Sequence, residues 1–311
     1  MNQADLGGIC LCDMFPYRFA CLGSLMFDAR LTAIRGRALT AASVLLVTLG
    51  LGGAARADSF SGVYSVSLIG LSLGTATVSG KISGNDYKIE AYANLTGLAS
   101  AMTGAKGSAV ASGALQNGQL APNAYATTSS NSKETRTVRI GMAGGTVKAV
   151  DIQPPFDQLE GRVPLTDAHK RGIVDPLSAL IMPVSGNLSD GPTVCRRSIP
   201  VFDGYTRFNV DLAYTGTRQV ASQGYNGPVI VCGARYKPIA GHRPGRRATQ
   251  FMVDNKDMEV WLAPLAGAKA VVPFRIAVRT MVGMTVIEAR KFNISSDAPA
   301  TAGTPASAAQ R

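Results

Sequence analysis

Residues 198–214 read Ser-Ile-Pro-Val-Phe-Asp-Gly-Tyr-Thr-Arg-Phe-Asn-Val-Asp-Leu-Ala-Tyr, and this stretch decides the fold class. Phe208, Val210, Leu212 and Tyr214 alternate with Asn209, Asp211 and Ala213. Successive side chains on a strand point to opposite faces, so a period of two describes a strand with one dry and one wet side. Asp203-Gly204 stands just before it. That dipeptide tolerates the backbone of a tight hairpin, so it joins 198–202 to 205–214 as an antiparallel pair.

The same pattern recurs outward in both directions. Tyr64, Val66 and Leu68 alternate with serines; Tyr87, Ile89, Ala91, Ala93 and Leu95 alternate with Lys88, Glu90, Tyr92 and Asn94. Phe274, Ile276 and Val278 alternate with Arg275 and Ala277, and Arg279 follows. Gly84-Asn85-Asp86, Asn117-Gly118 and Gly144-Gly145 fall between such runs, where hairpins need positive φ. Roughly a dozen strands result, and one-sided alternation of this kind belongs to antiparallel sheets. The expected fold is mostly β: a large, strongly curved antiparallel sheet or half-open barrel. One short helix, beginning at Asp175-Pro176 and continuing Leu-Ser-Ala-Leu-Ile-Met, is predicted to plug one end, with Asp as its cap and Pro in its first turn. Residues 96–102 read as a turn of helix or a loop. Residues 58–294 form one domain in this reading, and 295–311, rich in Ala, Pro, Ser and Thr, form a disordered tail.

The N-terminal region has a different character. Arg30, Arg35 and Arg37 precede an apolar run over 38–53, and Ala55-Arg56-Ala57 follows. A basic segment, a short apolar core and an Ala-x-Ala exit describe a secretory signal peptide cut after Ala57. The run is shorter than the roughly 20 residues a spanning helix needs, and no second such run follows, so no transmembrane span is expected in the mature chain. Met26 lies just before the basic segment, so residues 1–25 read as an extension from a misassigned start. The expected location is the periplasm.

Beyond residue 57 the chain keeps 26 basic and 17 acidic side chains, a net +9. Such a charge suits anionic lipid or other envelope polyanions, or simply solubility. No basic-aromatic motif for nucleic acid is present. Three of the five cysteines lie before residue 22; Cys195 and Cys232 remain. In an oxidising compartment two thiols read most simply as one disulfide between neighbouring strands, the alternative being two buried free thiols. The only histidines, His169 and His242, have no metal-ligand spacing. The run from Gly74 to Lys81 has one residue too many for a P-loop and lies in strand-like sequence. No nucleophile elbow or S-x-x-K motif occurs. No catalytic, cofactor or metal site is assigned. Residues 237–247 gather Lys237, Arg243, Arg246 and Arg247. They read first as a solvated loop held open by its own charge, and second as a contact for an anionic lipid or glycan.

Several short motifs, taken in order, resemble one family. They are Tyr64-x-Val66 with Gly70 and Gly74; Leu95-Thr96-Gly97-Leu98; Pro154-Pro155; and Asp175-Pro176-Leu177-Ser178-Ala179. Cys195, Pro200-Val201-Phe202-Asp203-Gly204 and Arg207 follow, then Cys232, Tyr236 with Pro238-Ile239-Ala240-Gly241, and Trp261-Leu262-Ala263-Pro264. Together they resemble the exported bacterial family called domain of unknown function 3108, over roughly residues 60–293. The resemblance implies a secreted, β-rich protein without assigned activity and supplies no functional residues. A packed interior is the simplest expectation for such a sheet. A curved sheet covered incompletely by one short helix leaves a cleft for an acyl chain. The functional expectation is therefore a non-enzymatic periplasmic protein binding a lipid or other hydrophobic ligand. The alternatives are an envelope scaffold acting through protein contacts and, last, a hydrolase of envelope polymers.

Overall fold

The structure is a computed structural model that describes residues 57–296, apart from 98, 99, 101, 102 and 157–159. The predicted signal peptide up to residue 56, the predicted upstream extension and the part of the predicted tail beyond Ser296 lie outside the described residues. One antiparallel sheet dominates. Its strands are β1 (Ala57–Leu68), β2 (Leu71–Ser83), β3 (Asp86–Leu95), β4 (Lys106–Gln116), β5 (Gln119–Ser130), β6 (Thr135–Ala143) and β7 (Thr146–Gln153). They continue as β8 (Met182–Pro183), β9 (Arg197–Phe202), β10 (Arg207–Ser222), β11 (Tyr225–Ala240), β12 (Met258–Leu265), β13 (Ala270–Thr280) and β14 (Gly283–Ser296).

The order across the sheet is β7-β6-β5-β4-β3-β2-β1-β14-β13-β12-β11-β10-β9, with β8 on β13. Two meanders are thus fused where the first strand meets the last, from Asp58↔Ser296 to Leu68↔Thr285. Ser295 and Ser296 therefore belong to the strand rather than to a tail, because pairing with β1 satisfies their backbone. The anticipated turns are where short loops demand them. Asn117 and Gly118 have φ of 52° and 73°, the left-handed pair that matches strand twist in a two-residue hairpin. Asp203-Gly204 does turn the chain between β9 and β10, but Tyr205 belongs to the turn and β10 starts at Arg207. Asp203 Oδ1 accepts from the Tyr205 and Thr206 N–H groups (3.0 and 2.7 Å), fixing that wider turn.

The sheet curls until its two outer strands approach one another. A Cβ on Gly204 would stand 2.6 Å from Val138 of β6, so the β9–β10 turn lies directly against the far meander. β7 and β9 do not pair; the linker between them fills the gap. Ile173 N–H donates to Gly145 O (3.2 Å), and Val174 exchanges bonds with Pro200 and Phe202 of β9 (2.8 and 2.9 Å). The architecture is a half-open barrel, as the alternation suggested.

Inside the curl Phe60, Tyr64, Ile89, Ile140, Phe274 and Phe292 form one core that includes both meanders. Phe60 packs over Gly80 of β2 so closely that a Cβ there would lie 2.2 Å from the ring. Phe274 and Phe292 meet edge to face with centroids 5.7 Å apart, a geometry that adds to their area burial. The Tyr64 hydroxyl donates to Pro273 O at 2.8 Å in this core. Tyr64→Phe removes that buried hydrogen bond, so urea unfolding is expected to show a loss of about 1 kcal/mol.

The plug is present, with a correction. Residues 175–181 enter the interior, and Ile173, Leu177 and Ile181 are buried in the main core. Only a single 3-10 turn, Ser178–Leu180, forms there, because the chain becomes extended again at Ile181 and pairs as β8. Short α-helices form elsewhere, at Gly191–Cys195 and Arg247–Asp254 among others. The first carries Asp190 as N-cap residue and Pro in its first turn, the same signal that marked Asp175-Pro176. In the 96–102 segment Gly97 and Ser100 are helical, and the rest lies partly outside the described residues.

Candidate functional site

The middle of β11, the second half of β12 and the first half of β13 bury both of their faces. Val229, Ala263 and Val272 face the main core; their neighbours Ile230, Leu262 and Val271 face a second one. A bulge in β13 opposite Trp261/Leu262 then turns Phe274 to the first core and Ile276 to the second. The second core is covered by Met182, Val184 and the helix Gly191–Cys195, whose Val194 and Cys195 are fully buried. Cys195 and Cys232 are bonded, with Cα atoms 5.6 Å apart. The crosslink therefore ties a helix to strand β11 rather than joining neighbouring strands. Periodicity could not show this, because five residues of helix are too few to register as a period.

Beside this core the cover is incomplete. A cavity of about 300 Å³ opens between the β9–β13 surface, the 176–182 segment and the helix Arg247–Asp254. Ala179, Leu180, Val210, Tyr236, Met252 and Ile276 are among its walls, which are almost wholly apolar. The one charged residue of the lining, Glu259, turns its carboxylate to Arg275 and to the Trp261 indole N–H (3.1 Å). Shape and lining suit an apolar ligand segment at the lower end of the usual size of binding cavities.

The segment flooring this cavity is held by an internal carboxyl. Asp175 is fully buried; its Oδ1 accepts from the Leu177 and Ser178 N–H groups (3.0 and 2.8 Å). Its Oδ2 has no hydrogen-bond partner. Burial pushes its pKa up, while the Ser178 side chain and the backbone donors pull the other way. The Tyr87 hydroxyl donates to Ser178 Oγ at 2.8 Å, anchoring the plug to β3.

The basic residues of 237–247 separate in three dimensions. Lys237 is in β11 and pairs with Asp211 of β10, whose carboxyl is held below its ordinary value chiefly by bonds from Lys237 and Ser198. Arg247 begins the second helix. Arg243 and Arg246 instead line a groove of about 750 Å³ with Arg136, Arg162 and Phe156. The Arg136 guanidinium stacks 4.0 Å over the Phe156 ring and pairs with Glu134. Arg162 lies 5.9 Å from Phe156 and 5.8 Å from Tyr205, and donates to Gly241 O at 2.5 Å. Arg136 and Arg162 precede Arg243 by 107 and 81 residues, and no local signal connects them to it. Asp203 and Arg207 do not pair: Asp203 caps its turn, and Arg207 donates to Phe208 O and Asn209 Oδ1.

His169 Nδ1 accepts from the Thr166 N–H at 3.2 Å and closes a short turn. Among the described residues no group of three His, Cys, Asp or Glu is placed to hold a metal ion, and no helix is long and apolar enough to cross a membrane. Comparison with curated proteins and with solved structures gives no match. The meander, the plug and the paired cysteines do have a family setting: the family model described as "Protein of unknown function (DUF3108)" matches residues 63–290, and the chain belongs to that family.

Proposed function

We propose that this protein is a non-enzymatic component of the cell envelope, acting in the periplasm after cleavage behind Ala57, and that it holds the acyl part of a lipid or a similar hydrophobic ligand. The observation that carries this reading is the apolar cavity between the β9–β13 surface and the 176–182 segment. Apolar walls reward removal of hydrocarbon from water by roughly 25 cal/mol per Å². The buried Cys195–Cys232 bond supports an oxidising compartment, where such bonds persist.

Native mass spectrometry of the purified protein with dodecanoate and with oleate tests the proposal. A one-to-one adduct with at least one of them is expected. Ala234→Phe, which places a ring into the cavity wall, is expected to weaken that adduct at least ten-fold while the fold persists. No adduct with either fatty acid, or unchanged binding by a folded Ala234→Phe variant, sinks the proposal.

A further inference from the structure

Two hairpin tips sit side by side at one end of the sheet. β1 pairs with β14, and the Ile69 N–H donates to Met284 O at 2.9 Å, joining the β1–β2 tip to the β13–β14 tip. What these tips display is apolar. Ile69 is 66 % exposed, Leu71 71 %, Met281 52 % and Val282 68 %. Hairpin tips are ordinarily Gly, Asn, Asp and Ser, which suit both the turn and water.

Ile69 violates the second requirement as well as the first. Its φ is +52° and that of Gly70 is +79°, the two left-handed positions of a two-residue hairpin. Asn or Gly belongs at the first of them, and a β-branched residue there is an outlier. Isoleucine at 69 thus strains the backbone and exposes a side chain to water, where asparagine would relieve both. A residue that serves neither turn nor solvent points to a partner that accepts it.

The charge at this end indicates which partner. Register carries across the sheet from Thr75↔Asn94 to Asn94↔Lys106, Lys106↔Ser130 and Ser130↔Thr135. The β5–β6 turn and neighbouring Arg136 therefore lie at the same end as the tips. On the other meander Met258↔Val278 places the start of β12, and the helix Arg247–Asp254 before it, at that end too. The groove formed by Arg136, Arg162, Arg243 and Arg246 belongs to this rim. Of the carboxylates there, Glu134 and Asp257 are ion-paired with Arg136 and Arg279, Asp203 is turned into its own backbone, and Glu160 and Asp254 are exposed, so arginines outnumber the carboxylates left facing solvent. Apolar tips with arginines on one rim match a layer with apolar depth and anionic headgroups.

The geometry points to an anionic lipid bilayer as the partner of this end: Ile69, Leu71, Met281 and Val282 enter the headgroup–acyl boundary while the arginine groove meets lipid phosphates. This goes beyond the cavity, and the two fail separately. A chain that binds vesicles with an empty cavity, or takes up dodecanoate without touching vesicles, is a distinct outcome for each.

Co-sedimentation of the purified protein with vesicles of phosphatidylglycerol and phosphatidylethanolamine, against vesicles of phosphatidylcholine, is the test. The wild type is expected to prefer the anionic vesicles at least ten-fold and to release as salt rises through the screening range. Ile69→Asn combined with Val282→Asn is expected to lose that binding at least ten-fold. Ile69→Asn alone is expected to raise Tm by roughly 2–4 °C, because it relieves the turn. Loss of vesicle binding in a more stable protein cannot be ascribed to unfolding. Arg243→Gln with Arg246→Gln is expected to weaken anionic binding and flatten its salt dependence. Failure of the wild type to sediment with anionic vesicles, as when the tips serve a protein instead, overturns the inference. So does wild-type sedimentation of the Ile69→Asn, Val282→Asn variant.

Discussion

Replacing Cys195 and Cys232 together by alanine is expected to lower the unfolding free energy by about 4 kcal/mol, the chain-entropy value for a closed loop of this length. The two residues are 37 apart in sequence, and both are fully buried. The loop they close holds strand β9, all of β10 and the first half of β11, and the helix Gly191–Cys195 ends on its first residue. A helix of five residues has no stability of its own, since nucleation costs more than so few bonds return. Its attachment therefore depends on the crosslink and on Val194 and Cys195 packing against Leu212, Ile230 and Leu262. A loss of this size corresponds to a Tm decrease of roughly 8–16 °C for a domain of this class. Urea titrations of the oxidised wild type, the reduced wild type and the double variant provide the check. Reduced protein as stable as oxidised protein would contradict the expectation, and so would thiol labelling of the native, unreduced chain.

The second large effect concerns Asp175. Alanine at this position removes the acceptor for the Leu177 and Ser178 N–H groups inside the core. Each orphaned buried donor costs about 1–3 kcal/mol, and relief from burying the carboxyl opposes this, so a net loss of roughly 2–4 kcal/mol is expected. The 176–182 segment floors the apolar cavity, so the same substitution is expected to weaken dodecanoate uptake along with stability. Asparagine separates the two roles, because it keeps an oxygen for the backbone donors and cannot ionise. Burial raises the Asp175 pKa above its ordinary value of 3.8. A raised carboxyl binds its proton more tightly when folded, so its contribution is complete below the unfolded value and is lost as pH climbs through the folded one. The stability difference between wild type and Asp175→Asn should therefore shift in favour of Asn from about pH 4 upward and level off above the folded pKa. Asp203, also raised by burial, is present in both proteins and cancels from the difference. A difference independent of pH would show that Asp175 carries no such shift.

What the chain discloses locally was legible in advance. Alternation at Tyr87-Ile89 and Phe208-Val210-Leu212 assigned strands, and Asn117-Gly118 and Gly144-Gly145 assigned hairpins, because both signals arise within a few residues of backbone sterics. The plug at Asp175 was legible for the same reason: a capping carboxyl and a proline act on their immediate neighbours. The predicted helix shortens to one 3-10 turn, since 3-10 and α turns share that opening and diverge only where the chain extends at Ile181 and Met182-Pro183 pairs with β13.

The sequence by itself determined that strands form, where they turn, and that Cys195 and Cys232 would find each other as the cysteines left beyond residue 57. Tertiary structure alone decided that β1 lies against β14, that the bond joins a helix to β11, and that Arg136 and Arg162 meet Arg243 and Arg246. It alone placed an apolar cavity beneath residues 176–182 and set the Ile69 and Val282 tips side by side. The physical reason is one of range. Side-chain periodicity says which side of a strand is dry, whereas neighbours, cavities and charge clusters depend on the packing of segments far apart in the chain.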